Sequence, residues 1–581
     1  MKKIFFPAMA AMALGLASCS SDEPTSHGGG IDLSKGGYVK LSINLPTASQ
    51  SRAVTNGEND QFDDGLAAEY SVKNAQLILF TGTSETAATF HSAYKLSTSM
   101  AMDGSTQITS TTKIVQKVND TPARGEKLFA LVVLNNNVET TVEDDNTLKV
   151  GTTNFNGTFA DFQAKISSAS TSGVSNFASD VKNKGIFMTN APLANVQGGA
   201  KNPNTTEATS IKTLADVTDH ISKTEAEAQA KPAINVYVER GVAKVTMEGN
   251  KSGKLSGDEF KNEKEVSYKV VGWALDVTNK SSFLVRHVAP NWNTFTSNFA
   301  TANSINTYRF IGNALVGDGL YRTYWGIDPN YDQTYNAADF TIQPATFNGY
   351  TDKFDDANPQ YCYENTFDVA NQRQNRTTRA LVKVQLTLKN GTEGEDLYTL
   401  NGDRSVLFSK TTLENRIKTA VAHAQGKQTV TIATDGIETA TVDNDKSIYK
   451  VSKVTTSEGE ISTEELEYVN NEIGVITKYD GGIAYYPIRI KHFGEDATPW
   501  SSTNTGVSTT NVYNSNNANQ YLGRYGVLRN NWYNLAVTGI AGVGTPRTPG
   551  TSDDYDDELH SYISVRINIL SWAKRQQNAD L

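Results

Sequence analysis

The sequence predicts a mainly β protein, and two segments at opposite ends of the chain carry that prediction. The first alternates apolar and polar residues in YVKLSINL, and its apolar members, here called the first comb, are Val39, Leu41, Ile43 and Leu45. The second does the same in SYISVRINILSW, and its apolar members, the last comb, are Ile563, Val565, Ile567 and Ile569. Apolar residues at every second position indicate a strand with one face in a core and the other face polar.

The overall composition agrees with a β fold. The 581 residues leave room for two to four domains. Hydrophobic residues make up 38%, and glycine, asparagine and threonine are abundant, as in a loop-rich β protein. The net charge of −10 and the lack of a basic stripe argue against nucleic acid as a partner.

The first 19 residues have the pattern of an export signal. Lys2 and Lys3 precede an apolar run over residues 4–16, and Leu16-Ala17-Ser18-Cys19 follows. Small residues before a cysteine at this point are typical of a lipobox, where the signal is cut and Cys19 receives lipid. The alternative is an ordinary secretory signal with an incidental cysteine. No other stretch approaches the ~20 apolar residues of a membrane helix. The lipid would therefore be the only membrane anchor of the protein.

A polar loop over residues 47–64 follows the first comb and contains the sequence Ser51-Arg52-Ala53. Exposed polar loops are preferred sites of proteolysis, and Arg52 offers a basic residue there. We therefore interpret the first comb as a removable placeholder. The last comb of a neighbouring molecule would then take its place.

Strands are expected through most of the remaining chain. Arg240-Gly241 is interpreted as a bulge, and a hairpin is expected across residues 278–281. The predicted strands are 72–80, 127–134 (buried on both faces), the first part of 185–194 (a strand followed by a loop), 234–247, 266–277, 282–287, 380–388, 483–490, 532–537 and the last comb.

Four segments are predicted to be helical: 158–167, 210–230, 411–424 and 462–471. The second has Ile211, Leu214, Val217 and Ile221 at helical spacing. Capping boxes are expected for the last two helices, from Thr411 with Glu414 and from Ser462 with Glu465. The Gly/Pro/Asp-rich residues 539–558 are interpreted as a hinge-like linker to the last strand.

Several segments together resemble fimbrillins, the lipoprotein-derived subunits of type V pili, and within them stalk subunits of minor fimbriae. They include the lipobox at Cys19, VKLSINLP before Arg52 and the terminal ISVRINILSW. Between these lie GEKLFALVVLN (125–135), YVERGVAKVTM (237–247), WALDVTNKSSFLV (273–285), YCYENT (361–366), AYYPIRI (484–490) and VLRNNWYNLAVTGIAGVGTP (527–546). Their order over nearly the whole chain makes the resemblance specific.

The resemblance implies two transthyretin-like (Greek-key) β-sandwich domains with a few short helices. The implied division is a signal peptide at 1–19, a tether and propeptide at 20–52, a domain at 53–285, and a domain at 286–581 with a donor-strand arm at 561–575. An Arg-specific protease would cut between Arg52 and Ala53, and the strand at 38–45 would be replaced by residues 561–572 of another copy. The implied partners are copies of the protein in a head-to-tail filament, anchor and tip subunits of the pilus, and the outer membrane through lipid.

No enzyme or cofactor pattern competes with this interpretation. The sequence contains no HExxH, GxSxG or Walker motif, and Cys362, set among aromatic residues, is interpreted as a buried apolar residue. Acidic loops are potential calcium sites, but none follows the EF-hand pattern. Two alternatives remain: a tip or anchor subunit, and a monomeric lipoprotein that binds glycans through aromatic residues such as Trp292, Tyr321, Tyr324, Trp325 and Tyr331.

Overall fold

The structure is a computed structural model, and its described residues fall into fifteen ranges. These are 36–44, 65–69, 71–96, 111–119, 125–136, 140–168, 185–195, 211–257, 265–288, 311–317, 320–444, 447–492, 523–556, 563–570 and 575–577. Leu45, Cys19 and the Arg52–Ala53 bond lie outside them. No helix among these residues is long and apolar enough to cross a membrane.

The described part of the chain is mainly β, as predicted. Eighteen strands up to residue 276 are β1 Gly37–Asn44, β2 Ala75–Gly82, β3 Thr89–Lys95, β4 Thr111–Val118, β5 Lys127–Leu134, β6 Thr140–Val142, β7 Leu148–Val150, β8 Thr153–Asn154, β9 Ile166–Ser168, β10 Met188–Asn190, β11 Leu193–Ala194, β12 Ile211–Lys212, β13 Ala215–Asp216, β14 Ile221–Ser222, β15 Ile234–Arg240, β16 Ala243–Gly249, β17 Ser252–Lys254 and β18 Val266–Asp276.

The remaining strands of the described ranges lie between residue 278 and residue 577. They are β19 Thr278–Asn279, β20 Ser281–Phe283, β21 Ile311–Gly317, β22 Leu320–Thr323, β23 Phe340–Thr341, β24 Gln360–Cys362, β25 Arg379–Leu388, β26 Leu397–Leu400, β27 Asp403–Ser409, β28 Ile432–Asp443, β29 Ile448–Thr456, β30 Gly459–Glu460, β31 Ile476–Tyr479, β32 Ile483–Arg489, β33 Trp532–Ile540, β34 Ile563–Leu570 and β35 Arg575–Gln577.

Four α-helices occur in the described ranges: α1 Phe159–Gln163, α2 Glu225–Ala230, α3 Lys410–Ala424 and α4 Thr463–Ile473. The capping box of Ser462 and Glu465 at α4 is confirmed, with Ser462 Oγ accepting from the Glu465 N–H. The capping box at Thr411 was wrong. Ser409, two residues earlier, caps α3 instead, because its hydroxyl accepts from the Thr412 N–H.

The first group of strands forms a sheet with the order β14-β1-β15-β10-β5-β2-β3, to which β4 and β13 add. Strand β5 is buried on both faces, as its apolar sequence predicts. Strand β2 likewise points alternate side chains into two cores. Leu77 and Leu79 pack in one of them with the first comb, while Ile78 and Phe80 pack in the other.

The second group of strands forms a β-sandwich. One sheet has the order β24-β16-β33-β34-β35, and the other has the order β17-β18-β25-β32. Val245 and Leu535 of the first sheet share a core with Trp273, Val382 and Tyr486 of the second. A further sheet, β27-β26-β31-β29-β28, is inserted between β25 and β32 and packs against α3 and α4.

The chain passes between the two groups at Gly241, between β15 and β16. Strand β15 pairs with β1 and β10, whereas β16 pairs with β24 and β33. The interpretation of Arg240-Gly241 as a bulge was therefore wrong, because each flanking strand belongs to a different sheet. Strand β18 also pairs with β25. The boundary at 285/286 stays a prediction, and this pairing favours a crossing point more than 40 residues earlier, near Gly241.

Two further expectations differ from the structure. The helix at 210–230 is largely replaced by β12, β13 and β14, and α2 begins only after Thr224, whose side chain caps it. The hairpin across 278–281 is absent from these described residues, since β18 pairs with β25 and β20 pairs with β9. In both cases partners distant in sequence determine the local structure.

Candidate strand-exchange site

Strand β1 has a hydrogen-bonded neighbour on each edge. On one edge it runs antiparallel to β4 along its full length, from Gly37 opposite Val118 to Asn44 opposite Thr111. On the other edge it pairs with β15 in parallel and with β14 antiparallel. Loss of β1 would therefore leave unpaired backbone groups on both sides of one continuous groove.

The inward face of β1 fills the core of this sheet. Val39, Leu41 and Ile43 are each 0% exposed and belong to the same apolar cluster as Leu77 and Val132. These are the described members of the first comb. The structure thus places this comb where the sequence predicts it, inside a sheet core.

The other face of β1 carries a contact that the sequence reasoning missed. Lys40 Nζ donates to the carbonyl oxygens of Gln229, at 2.6 Å, and Lys231, at 3.1 Å, where helix α2 ends. The last carbonyls of a helix lack intrahelical donors, and a lysine nearby satisfies them. The sequence signal was weak, because Lys40 and the end of α2 are about 190 residues apart.

The chain that follows the predicted cleavage loop is held by a buried carboxylate. Glu69 Oε1 lies 2.9 Å from Lys244 Nζ, and both side chains are 0% exposed. The same oxygen accepts from the Tyr361 hydroxyl at 2.6 Å, and the Glu69 carbonyl accepts from Arg240 Nε at 3.0 Å. Burial, reinforced by the Glu69 carboxylate, raises the pKa of Tyr361. The segment containing Arg52 thus lies between two fixed points, β1 and Glu69.

The last comb lies on β34, which pairs within its own chain in this structure. It runs antiparallel to β33, with Ile563 opposite Ile540 and Leu570 opposite Trp532. Its other edge pairs with β35 only over residues 567–569. The donor role of this strand stays a prediction, and the structure establishes that the segment is a strand near the edge of the second sandwich.

The segment before β34 is held by hydrogen bonds and ion pairs, so the interpretation of residues 539–556 as hinge-like was wrong, while 557 and 558 lie outside the described residues. Asp556 accepts from Arg489 Nε at 2.8 Å and from the Thr377 hydroxyl. Arg379 donates to the Pro549 and Gly550 carbonyl oxygens, and Asp553 pairs with Arg373. Burial lowers the pKa of Arg489 to about 10, although the adjacent Asp556 carboxylate opposes that shift. The chain is held as far as Asp556, seven residues before β34.

The aromatic residues considered for glycan stacking are poorly placed for it. Trp325 is 4% exposed and Tyr324 is 9% exposed, while Trp292 lies outside the described residues. Tyr321 and Tyr331 are half-buried. Burial raises the pKa of Cys362 to about 12, in keeping with a packed thiol.

Comparison with known proteins finds a family match near the C-terminal end of the chain. Residues 477–578 match the family described as major fimbrial subunit protein type IV, fimbrillin, C-terminal. The C-terminal part of the chain is thus similar to the fimbrillins. The match includes β32 to β35 and therefore the last comb. It agrees with the expectation of a fimbrial structural subunit rather than an enzyme.

Solved structures similar to this protein share little sequence with it. A putative cell adhesion protein from Parabacteroides distasonis ATCC 8503 is 9% identical, with a TM-score of 0.35 over 94% of this chain and 100% of that one. One from Bacteroides eggerthii DSM 20697 is 11% identical, with a TM-score of 0.33 over 93% and 97%. The tip fimbrial protein Mfa3 from Porphyromonas gingivalis, with C-terminal truncation, is 10% identical, with a TM-score of 0.25 over 92% and 100%. No curated protein matches the chain.

Proposed function

We propose that this protein is a fimbrillin stalk subunit that polymerises by exchange of strands between copies. It is exported as a lipoprotein modified at Cys19 and held at the outer membrane by lipid. An Arg-specific protease cleaves between Arg52 and Ala53, and the segment with β1 leaves. Residues 561–572 of another copy then enter the groove, and head-to-tail repetition builds a surface pilus with anchor and tip subunits.

The observation that carries the proposal is the position of β1 between β4 and β15 with its apolar face fully buried. Burying a Val, Leu or Ile side chain is worth about 1.5–3 kcal/mol. The three described members of the first comb therefore contribute on the order of 5–9 kcal/mol, a large fraction of the 5–15 kcal/mol that stabilises a typical domain. A subunit without β1 has a strong driving force to accept a replacement strand.

The anchoring of Glu69 supports a cut at Arg52 as the releasing step. Glu69 lies only 16 positions after Ala53, and Lys244 and Tyr361 hold it in the interior. A cut before Ala53 would free the chain that leads to β1 and leave the rest attached. Cleavage beyond Glu69 would instead remove a buried ion-pair partner.

The presence of both a cleavage candidate and a terminal comb favours a stalk subunit over an anchor or a tip. An anchor needs no cleavage site, and a tip needs no free donor strand. The monomeric glycan-binding alternative explains neither comb. The burial of Tyr324 and Trp325 gives it no support.

Trypsin treatment of the purified precursor tests the proposal, with Arg52→Ala as the matched control. We expect a new N-terminus at Ala53 and a ladder of detergent-resistant oligomers for the wild type, and neither for the variant. Arg124, just before the strand at 127–134, is a second basic residue that trypsin could cut. Arg124→Ala is the control for that residue and should assemble normally. A wild-type chain that is cut at Arg52 but stays monomeric would refute the proposal.

A further inference from the structure

Two backbone carbonyls beside the groove form a cation-binding site. Lys40 Nζ occupies it, donating to the oxygens of Gln229 and Lys231 at the end of α2. Helix α2 begins with the capping box of Thr224 with Glu227 and packs on β4 and β14 as well as on β1. When β1 leaves, the two carbonyls lose their cation, and β4 and β14 still contact the helix.

We propose that Arg566 of a second copy replaces Lys40 at this carbonyl pair and thereby sets the register of the incoming strand. The proposal rests on the proposed function, because it concerns the same groove. In this proposal the incoming donor strand runs in the same direction as β1. An arginine suits the site because its guanidinium presents several donors in one plane and is always charged.

Two registers satisfy the apolar pattern of the groove. In the comb-onto-comb register, Ile563 takes the position of Val39, and Arg566 falls at Ser42. In the shifted register, displaced by two residues, Val565 takes the position of Val39, and Arg566 falls at Lys40. A displacement by two keeps the alternation of faces, so apolar side chains fill the positions of Val39, Leu41 and Ile43 in both cases.

The polar face of β1 distinguishes these registers. Ser42 is 4% exposed, so the comb-onto-comb register removes a guanidinium from water at that position. It has two advantages. Asn568 falls at Asn44, whose side chain donates to Asn235 Oδ1 at 3.2 Å, and Ile569 rather than Ser571 falls at Leu45. A buried charge without a partner costs more than the loss of one amide hydrogen bond. The balance favours the shifted register, with Arg566 at the two carbonyls.

The shifted register has a further consequence for Ile563. That residue falls at Gly37, where β1 has no side chain to replace. Ile567 instead falls at Leu41, which is 0% exposed. Truncation of Ile563 should therefore have little effect on assembly, whereas truncation of Ile567 should impair it.

Disulfide trapping between copies measures the register directly. In β1, Tyr38 lies opposite Lys117 and Lys40 lies opposite Val115. Residue 564 of the donor would therefore lie opposite residue 117 in the shifted register and opposite residue 115 in the comb-onto-comb register. A donor with Ser564→Cys is mixed after trypsin cleavage with an acceptor carrying Lys117→Cys or Val115→Cys. All chains carry Cys19→Ser, and Cys362 is 1% exposed and unreactive.

A reducible dimer with Lys117→Cys and not with Val115→Cys is the expected result. The opposite outcome overturns the register while leaving strand exchange intact. A ladder of oligomers that forms without either cross-link also overturns the proposed register, because residue 564 then lies opposite neither residue 115 nor residue 117. Absence of a ladder in the wild type would instead defeat the proposed function, and the inference with it.

Assembly rates provide an independent measurement. Arg566→Ala should slow ladder formation about two- to five-fold, the effect typical of a cation at a helix C-terminus, and Arg566→Lys should restore most of the rate. Ser564→Ala is the matched control and should assemble normally. Equal rates for Arg566→Ala and the wild type would contradict the role of Arg566, as would a lysine variant as slow as the alanine variant. An Ile563→Ala variant slower than Ile567→Ala would also contradict the register.

Discussion

Lys244 Nζ lies 2.9 Å from Glu69 Oε1 where neither side chain reaches solvent. The two residues come from a short turn after the cleavage loop and from the first strand of the second sandwich. Lys244 also lies over the Trp532 ring, 3.7 Å from its centroid. This ion pair fastens the start of the processed chain to the junction of the two sheet groups.

Glu69→Gln should destabilise the protein by about 3–5 kcal/mol, because it leaves the Lys244 ammonium buried without a counter-charge. Urea unfolding measures the change. Asp144→Asn is the control, since Asp144 pairs with Lys95 in an exposed bridge and its loss should cost less than about 1 kcal/mol. Equal effects of the two substitutions would contradict the anchoring role of Glu69.

Leu41→Ala should destabilise the precursor by about 2–5 kcal/mol, because it empties a fully buried position. It should not change the stability of the assembled filament, from which β1 is absent under the proposed function. Leu77→Ala, in the same core, is the matched comparison and should weaken both forms. Thermal unfolding of precursor and filament provides the measurement. A filament weakened by Leu41→Ala would show that β1 is retained.

Asp556→Asn should destabilise the protein by about 3–5 kcal/mol, since Arg489 is 4% exposed and loses its carboxylate partner. Hydrogen exchange should rise in residues 549–556, the segment that leads to β34. Asp554→Asn is the control because the Asp554 side chain is exposed. Unchanged exchange in this segment would mean that Arg489 and Asp556 do not hold it.

Burial raises the pKa of Asp328 to about 7. Because the folded pKa lies above the unfolded value of about 3.9, folding favours the protonated carboxyl. The associated stability is therefore complete below pH 4 and is lost as the pH rises through 7, by up to about 4 kcal/mol. Urea unfolding between pH 4 and 8 should show a steeper decline for the wild type than for Asp328→Asn. Parallel curves would refute the raised pKa.

The sequence predicted the elements whose signal is local. Strand β5 was predicted with its observed bounds because an unbroken apolar run is buried on both faces wherever it lies. The cap at Ser462 was also predicted, since its partner is three residues away. The burial of Val39, Leu41 and Ile43 followed from their alternation alone.

Prediction from the sequence failed where residues far apart in the chain determine the local structure. Val217 and Ile221 have helical spacing, yet the segment forms short strands because β5 and β1 offer backbone partners there. The Glu69–Lys244 pair and the contact of Lys40 with α2 join residues about 175 and 190 positions apart. No periodic sequence pattern encodes such contacts. The pair of carbonyls that Lys40 contacts could therefore not be predicted from the sequence.

The passage from β15 to β16 has a mechanical consequence for a fibre built in this way. Strand β15 borders the groove that receives a neighbour, while β16 lies beside β33, after which the chain leads to the outgoing arm. Tension between successive subunits would thus pass through the short, covalently continuous backbone from β15 to β16. From β16 it would pass to β33 as shear across many hydrogen bonds at once.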